Sequence, residues 1–168
     1  MRILVDADAC KCVDDIIEVA KEWKVEAFFF HNCSKLMQFE EHKLLHECIV
    51  DNSKDSADFA IVNKAKKNDI IVTNDAGLMA MGLAKRARII NNNGLYITKD
   101  NINQFLTNRY IGHRDMRHSG RNKHQNHRGK NNYIPHTKRN FKTALHHLIR
   151  RINKEIFEEK QIKQAKAI

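Results

Sequence analysis

Two aspartates near the amino terminus have the type and spacing that most directly indicate chemistry. Asp6 and Asp8 follow an apolar run that reads as a buried strand, in the segment MRILVDADAC. Carboxylates at such a position can cap a helix, cradle a metal ion, or act as a nucleophile and its acid partner. The pair alone leaves these three roles open.

Further carboxylates occur at comparable positions later in the chain. Asp75 follows the apolar segment DIIVT, and Asp55 and Asp58 open a helical pattern, three residues apart and so on one face. A parallel α/β sheet binds ligands beyond the carboxyl ends of its strands, where the strand order reverses. If the first and fourth strands are neighbours there, Asp6, Asp8 and Asp75 converge. Asp55 has capping of its helix as an alternative role.

Carboxylates gathered this closely repel one another and favour a bound cation. Mg²⁺ and Mn²⁺ prefer oxygen ligands and keep several waters, which leaves room for a phosphate. Such an ion activates a water and neutralises the charge that develops on phosphoryl oxygens. We therefore expect Asp6, Asp8 and Asp75 to be catalytic residues that act together with Mg²⁺ or Mn²⁺.

The elements that must position these residues alternate between apolar runs and helical patterns. The strands are continuously apolar, which indicates a mostly parallel sheet covered by helices on both faces. The predicted fold class is therefore α/β. Predicted strands cover residues 2–5, 25–30, 47–50, 69–73 and 87–90. Predicted helices cover 12–23, a stretch through Leu36, Leu44 and Leu45, 55–67, 78–84 and 98–108.

The positive charge of the chain is concentrated in one segment. The net charge is +10, but residues 1–108 hold 14 Lys/Arg against 16 Asp/Glu, whereas residues 109–151 hold 12 against one. A basic segment on a near-neutral domain is typical of a polyanion partner such as nucleic acid. A solvated connector that is basic for solubility is the alternative.

The same asymmetry predicts three parts of the chain. Residues 1–110 form the α/β domain, and residues 111–137, rich in His, Arg and Asn, are expected to form a mobile loop because they hold few aliphatic side chains. Residues 138–168 are expected to form a helix with Thr137 as its N-cap. That helix packs on the domain through its apolar stripe: Leu145, Leu148, Ile149, Ile152 and Ile156.

The sequence also indicates the cellular compartment in which we expect the protein. No apolar run approaches the roughly 20 residues of a membrane helix, and the amino terminus lacks the pattern of an export signal. We therefore expect a cytoplasmic protein with no membrane partner. Its cysteines are expected to be free thiols, since their spacing with His31 fits no common zinc pattern: Cys10, Cys12, Cys33 and Cys48.

The segment VDADA resembles the first motif of haloacid-dehalogenase-type phosphatases, in which the first Asp is a nucleophile and the second a general acid. Thr73 stands where that family needs a Ser or Thr at the end of a later strand, but no acidic pair follows the segment ARII. The resemblance covers one short motif, and it implies a phosphatase as one alternative function.

A second resemblance covers almost the whole chain. Three segments are similar to motifs of the YaiI/YqxD family of bacterial proteins, whose fold is PIN-like: VDADAC, KDSADFAIVNKAKKNDIIVTNDAGLMA and NNNGLYITKDNINQFLTNRY. Lys11 stands in place of the proline of the family's first motif, and Asn74 in place of its glutamine. On these motifs the chain is identified as a member of that family.

The resemblance implies a PIN-like three-layer fold with a central, mostly parallel sheet, and PIN-like domains in general are metal-dependent nucleases that act on RNA. It implies a Mg²⁺ or Mn²⁺ site of Asp6, Asp58 and Asp75, with Asp8 and Asp55 as further ligands or water-orienting groups. A nucleic-acid binder without catalysis is the other alternative. Nucleic acid would be held by basic residues of the segment that follows: Arg109, Arg114, Arg117, Arg121, Lys123, Arg128 and Lys130.

Overall fold

A six-stranded sheet forms the centre of the fold. The structure, a computed structural model, describes residues 1–32, 41–53, 55–107 and 140–165. Within these residues the strand order is β3-β2-β1-β4-β5-β6, and all neighbours are parallel except β6, which is antiparallel to β5. The strands are β1 (Ile3–Asp6), β2 (Ala27–Asn32), β3 (Leu45–Val50), β4 (Ile70–Val72), β5 (Arg88–Ile90) and β6 (Tyr96–Ile97).

Helices cover both faces of the sheet and give three layers. They are α1 (Val13–Trp23), α2 (Ser56–Lys64), α3 (Ala76–Ala84), α4, which is helical over residues 102–107, and α5 (Phe141–Ala165). The helices α1 and α5 pack on one face, and α2, α3 and α4 pack on the other. This arrangement confirms the predicted α/β fold class with a central, mostly parallel sheet.

The central strand explains why its sequence is continuously apolar. Ile3, Leu4 and Val5 have no exposed surface. Ile3 and Val5 face α1 and α5, whereas Leu4 faces α2 and α3. Because both faces of β1 are covered, no position along it can be polar until Asp6, where the strand leaves the core.

The carboxy-terminal helix α5 packs on one face of the sheet. Leu145, Leu148, Ile149 and Ile152 are buried against α1 and the sheet. Its N-cap is Asn140 and not Thr137, because the Asn140 side chain accepts a hydrogen bond from the Lys142 backbone N–H at 3.0 Å. The predicted loop over residues 111–137 and Thr137 itself lie outside the described residues.

The main differences between the predicted and the observed elements concern β3, the second helix and β6. Leu45 does not continue a helix but begins β3, where it pairs with Ala27 of β2. The second helix ends at Lys64 rather than residue 67, because the buried Asp69 carboxylate accepts the Lys66 backbone N–H at 3.0 Å and turns the chain. The two-residue strand β6 was absent from the prediction.

No helix in the described part of the chain is both long and apolar enough to cross a membrane. Cys10, Cys12 and Cys48 are free thiols, and Cys33 lies outside the described residues.

One ion pair connects the amino ends of β1 and β4. Asp69 is 2% exposed and accepts hydrogen bonds from the Arg2 backbone N–H at 2.9 Å and from Arg2 Nη2 at 2.6 Å. Arg2 Nη2 also donates to the Lys64 carbonyl at 2.7 Å, which connects the same corner to the end of α2. The pair therefore joins three elements before either strand enters the core.

Replacing this buried carboxylate should destabilise the fold strongly. The change Asp69→Ala removes the carboxylate that pairs with the Arg2 guanidinium and accepts two backbone N–H groups. We expect the free energy of unfolding in urea to fall by about 3 kcal/mol. The control is Lys67→Ala, which removes only the exposed Lys67–Glu159 pair and should leave the urea midpoint unchanged within error. Equal losses in the two variants would contradict the structural role given to Asp69.

Candidate active site

An acidic cleft of about 540 Å³ lies at the carboxyl ends of the central strands. The chain leaves β1 toward α1 on one face of the sheet and leaves β4 toward α3 on the other, so the cleft lies at the point where the strand order reverses. No Lys or Arg among the described residues lines it. Its carboxylates come from three places in the sequence: Asp6, Asp8, Asp51, Asp55, Asp58 and Asp75.

The pairing of β1 with β4 places Asp6 beside Thr73. The Thr73 hydroxyl donates to Asp6 Oδ2 at 2.9 Å and accepts from the Asp75 backbone N–H at 3.0 Å. Thr73 is 2% exposed, so its hydroxyl is confined to these two partners and fixes the direction of the Asp6 carboxylate. Asp6 and Asp75 are thereby joined through one hydroxyl group.

The electrostatics of the cleft disfavour the ionised form of Asp6. Burial of its carboxyl group is the largest cause of a raised pKa, and the negative charges of Asp8 and Asp75 raise that pKa further. The hydrogen bond from Thr73 acts in the opposite direction and lowers it. A cation in the cleft would stabilise the ionised carboxylate, since an opposite charge within a few ångströms favours the charged form.

Asp75 and Asp8 have structural partners in addition to their place in the cleft. Asp75 is the N-cap of α3, because its Oδ1 accepts from the backbone N–H groups of Gly77 at 2.7 Å and Leu78 at 3.0 Å. Asp8 is exposed, and its Oδ2 accepts from the Asn32 backbone N–H at the end of β2 at 3.2 Å. Each carboxylate is therefore fixed by the backbone while facing the cleft.

The start of α2 forms the opposite wall of the cleft. Asp55 occupies the N-cap position with a φ of 63°, and its side chain makes no capping hydrogen bond. Capping is the alternative role predicted for Asp55, but its side chain does not cap α2. Asp75, at the start of α3, is the aspartate of this cleft whose side chain does cap a helix. Asp58 lies one turn into α2 and lines the same cleft, so all five predicted metal-binding aspartates share it.

Cys10 is an unsuitable nucleophile despite its proximity to the cleft. Burial raises the pKa of the Cys10 thiol to about 11, and the charge of Asp6 contributes in the same direction. A thiol with such a pKa is protonated at neutral pH, whereas the thiolate is the reactive form. Cys10 is therefore not a candidate nucleophile for the cleft.

The donor set of the cleft fits a hard divalent cation in its chemistry. Carboxylate oxygens are the preferred ligands of Mg²⁺ and Mn²⁺, and Mg²⁺ is often held by one or two carboxylates with waters completing its shell. Within the residues that the structure describes, no group of three or more His, Cys, Asp or Glu side chains is arranged to hold an ion as it stands. The cleft thus offers such an ion the right donor chemistry but no preformed cage among the described residues.

Sequence reasoning missed Asn92, which connects two loops of the cleft. Its side-chain Nδ2 donates to the Ala9 carbonyl at 2.8 Å, and its backbone N–H donates to Asn74 Oδ1 at 3.2 Å. Asn92 Oδ1 is buried and accepts no hydrogen bond. The loop that carries Asp8 and the loop that carries Asp75 are therefore held together by one residue beyond β5.

A turn signal in the sequence could have directed attention to this residue. The segment NNNG follows a predicted strand, and Asn-Gly clusters indicate a tight turn. In the structure, Asn91 Oδ1 accepts the backbone N–H groups of Asn93 at 3.0 Å and Leu95 at 2.9 Å, and Gly94 has a φ of 75°. The signal predicts the turn but not the contacts that Asn92 makes across it.

The basic residues predicted to bind nucleic acid all lie outside the described residues. Their role stays a prediction, and the described structure gives only the point at which their segment rejoins the fold, Asn140. They are Arg109, Arg114, Arg117, Arg121, Lys123, Arg128 and Lys130.

The fold and the cleft define an α/β protein with a carboxylate-lined cleft at the switch point of a parallel sheet. Comparison with protein families is more specific. The family model described as "Uncharacterized BCR, YaiI/YqxD family" matches residues 4–151 of the chain. The chain belongs to the YaiI/YqxD family, which confirms the resemblance of its motifs.

Curated relatives agree with this assignment. The chain is similar to proteins named "UPF0178 protein", with 39% identity to that of Lachnoclostridium phytofermentans over 74% of this chain and 81% of the relative. It is 36% identical to that of Ruminiclostridium cellulolyticum over 72% of this chain and 77% of the relative. It is 40% identical to that of Alkaliphilus oremlandii over 67% of this chain and 70% of the relative. No solved structure matches the chain significantly.

The raised pKa of Asp6 predicts that its neutral analogue is more stable at neutral pH. The ionised Asp6 carboxylate is what destabilises the folded wild type. This destabilisation is absent below the unfolded-state pKa of Asp6 and fully present above its raised folded-state pKa. In the absence of divalent cations, we expect Asp6→Asn to unfold at a higher temperature than wild type at pH 7 and at an equal temperature near pH 3.

The control for this measurement is Glu41→Gln, which neutralises an exposed carboxylate outside the cleft. Its melting temperature should follow that of the wild type at both pH values. An Asp6→Asn variant that is less stable than wild type at pH 7 would contradict the electrostatic description of the cleft.

Proposed function

We propose that the protein is a Mg²⁺- or Mn²⁺-dependent nuclease that hydrolyses phosphodiester bonds, with RNA as its substrate. The observation that carries this proposal is the meeting of Asp6, Asp8 and Asp75 with Asp55 and Asp58 in one cleft at the switch point of the sheet. Catalytic hydrolysis of a phosphodiester needs a group that neutralises the phosphoryl charge and a water that is oriented for attack. Carboxylates can hold a cation that does the first and can orient the water for the second.

The charge of the cleft supports a role for a cation. Six aspartates and no described Lys or Arg line it, so the negative field of the cleft alone would repel a phosphate. Asp6 and Asp75 would hold the ion, with Asp58 and Asp55 on the opposite wall and the exposed Asp8 binding the ion or orienting a water. When bound, the ion supplies neutralisation of phosphoryl charge and an activated water.

The substrate class rests on the basic segment and on where it joins the fold. The α5 helix begins at the cleft edge of the sheet, because the Tyr96 hydroxyl donates to the Ala144 carbonyl at 2.5 Å and Tyr96 pairs with Ile90 at the carboxyl end of β5. Asn140, where the basic segment ends, is therefore on the same side of the sheet as the acidic cleft. A basic segment that joins the fold at this edge of the sheet suits a phosphate backbone as its ligand.

Cleavage of labelled single-stranded RNA in the presence of Mn²⁺ tests the proposal. We expect cleavage by the full-length protein, and a loss of at least about 100-fold in Asp6→Asn and in Asp75→Asn, since each removes a charge worth several kcal/mol at the site. Asn is as good an N-cap as Asp, so Asp75→Asn keeps α3 capped and separates loss of charge from loss of fold.

Asp14→Asn on the exposed surface of α1 is the matched control and should cleave RNA at the wild-type rate. Salt-sensitive RNA binding without cleavage would replace the nuclease by a nucleic-acid binder. Hydrolysis of a small phosphate ester through an acid-stable aspartyl intermediate would replace it by a phosphatase. Either result overturns the proposal.

The contacts of Asn92 predict a loss of rate without a loss of fold. Asn92→Ala removes the bond to Ala9, but it also removes the buried Oδ1 that has no donor, so the free energy of unfolding should change by less than about 1 kcal/mol. The loops of Asp8 and Asp75 lose their connection, and we expect RNA cleavage to slow by about tenfold with both aspartates in place. A wild-type rate would mean that other contacts fix these loops.

A further inference from the structure

A buried histidine stands at the end of β2, directly before a residue of the acidic cleft. His31 is 1% exposed and lies on the same face of the sheet as Phe29, which packs with α1 and α5. Both nitrogens of its ring have a partner. The Asn32 carbonyl oxygen is 2.9 Å from Nδ1, and Oε1 of Glu47 on β3 is 2.7 Å from Nε2. The proposed nuclease chemistry does not use this ring.

The backbone of Asn32 extends past the end of β1. The Phe30 carbonyl accepts the Ala7 N–H at 2.9 Å, and Asn32, two residues later, faces the same neighbouring strand. The ladder between β1 and β2 ends with the pair of Asp6 and Phe30, so Asn32 lies beyond it. Asn32 is half-buried, and backbone groups in such a position need hydrogen-bond partners.

Two side chains are the partners of this backbone. The His31 Nδ1–H donates to the Asn32 carbonyl, because a carbonyl oxygen only accepts. The Asn32 N–H donates to Asp8 Oδ2 at 3.2 Å, and Asn32 and Asp8 both line the acidic cleft. The buried ring and the exposed carboxylate are therefore connected through one residue, whose backbone conformation sets the direction of the N–H that Asp8 accepts.

We propose that His31 is a positioning residue of the acidic cleft, which holds Asn32 so that Asn32 orients the Asp8 carboxylate toward a divalent cation. This inference rests on the proposed function, in which Asp8 serves the bound ion. The contact with Glu47, which is not part of the cleft lining, holds the ring from the other side. Hydrogen-bond partners that orient a metal ligand commonly change the metal affinity by about tenfold or more when they are removed.

Two replacements of His31 separate the two contacts of its ring. The side-chain amide nitrogen of Asn reaches the place of Nδ1, so His31→Asn keeps a donor for the Asn32 carbonyl. The amide nitrogen of Gln reaches the place of Nε2, so His31→Gln keeps the contact with Glu47 and loses the one with Asn32. Both variants lose the ring from a buried position and are destabilised for that reason, so stability does not distinguish them.

The measurement is the affinity of the full-length protein for Mn²⁺ in the absence of RNA, followed by electron paramagnetic resonance. We expect the affinity to fall by about tenfold in Asp8→Asn and in His31→Gln, and to stay at the wild-type value in His31→Asn. The double variant Asp8→Asn/His31→Gln should bind Mn²⁺ no more weakly than Asp8→Asn, because both changes act on the same carboxylate.

The matched control is His46→Gln. It removes another His–Glu contact, between His46 and Glu26 at 3.1 Å, near the amino end of β3 and outside the cleft. This variant should bind Mn²⁺ with wild-type affinity. If His31→Gln does not fold, His31→Asn and Glu47→Gln decide the question, since each keeps a donor for the Asn32 carbonyl and should also bind with wild-type affinity.

The possible failures are distinguishable. Equal Mn²⁺ affinity in His31→Gln and the wild type overturns the positioning role of His31 and leaves the proposed function standing. The same holds for equal weakening in His31→Asn and His31→Gln, or for weakening in Glu47→Gln, since the contact with Glu47 would then be the one that matters. Absence of Mn²⁺ binding by the wild type overturns this inference and the proposed function together.

Discussion

The parallel pairing of β1 with β4 is the interaction on which the acidic cleft depends. The register matches Ile3 with Ile70, Leu4 with Ile71 and Val5 with Val72, and a side-chain contact closes each end of this ladder. Arg2 binds Asp69 before the first pair, and Thr73 binds Asp6 after the last. A slip of one residue would break both contacts and turn the apolar side chains of β1 to the wrong faces. The fold and the site are therefore specified by the same register.

Much of this arrangement is legible in the sequence because its cause is periodicity. Continuous apolar runs separated by helical patterns predict five of the strands, and the convergence of Asp6, Asp8 and Asp75 follows from the rule for strand ends. The errors have tertiary causes. Leu45 reads as helical in isolation, but pairing with Ala27 makes it a strand residue. The bonds of Asn92 across two loops depend on which loops meet in space, which local patterns do not contain.

The Asp75 side chain has two roles at one place: it caps α3, and it adds a negative charge to the acidic cleft. Its Oδ1 accepts two backbone N–H groups of α3, which orient the carboxylate without neutralising it fully. Asp6, in contrast, is buried and is held by the Thr73 hydroxyl. Its pKa is raised mainly because burial disfavours the ionised carboxylate. At neutral pH, a buried carboxyl group with a raised pKa makes this cleft less stable than a neutral cleft of the same shape would be.

The packing of α5 changes what the basic segment can do. Because the chain returns to the core at Phe141, residues 108–139 are joined to the folded domain at both ends rather than extending from it as a tail. A segment that is tethered at both ends has a reach bounded by its length, whereas a free tail of the same length reaches further. The long terminal helix thus anchors the second end of the basic segment to the folded domain.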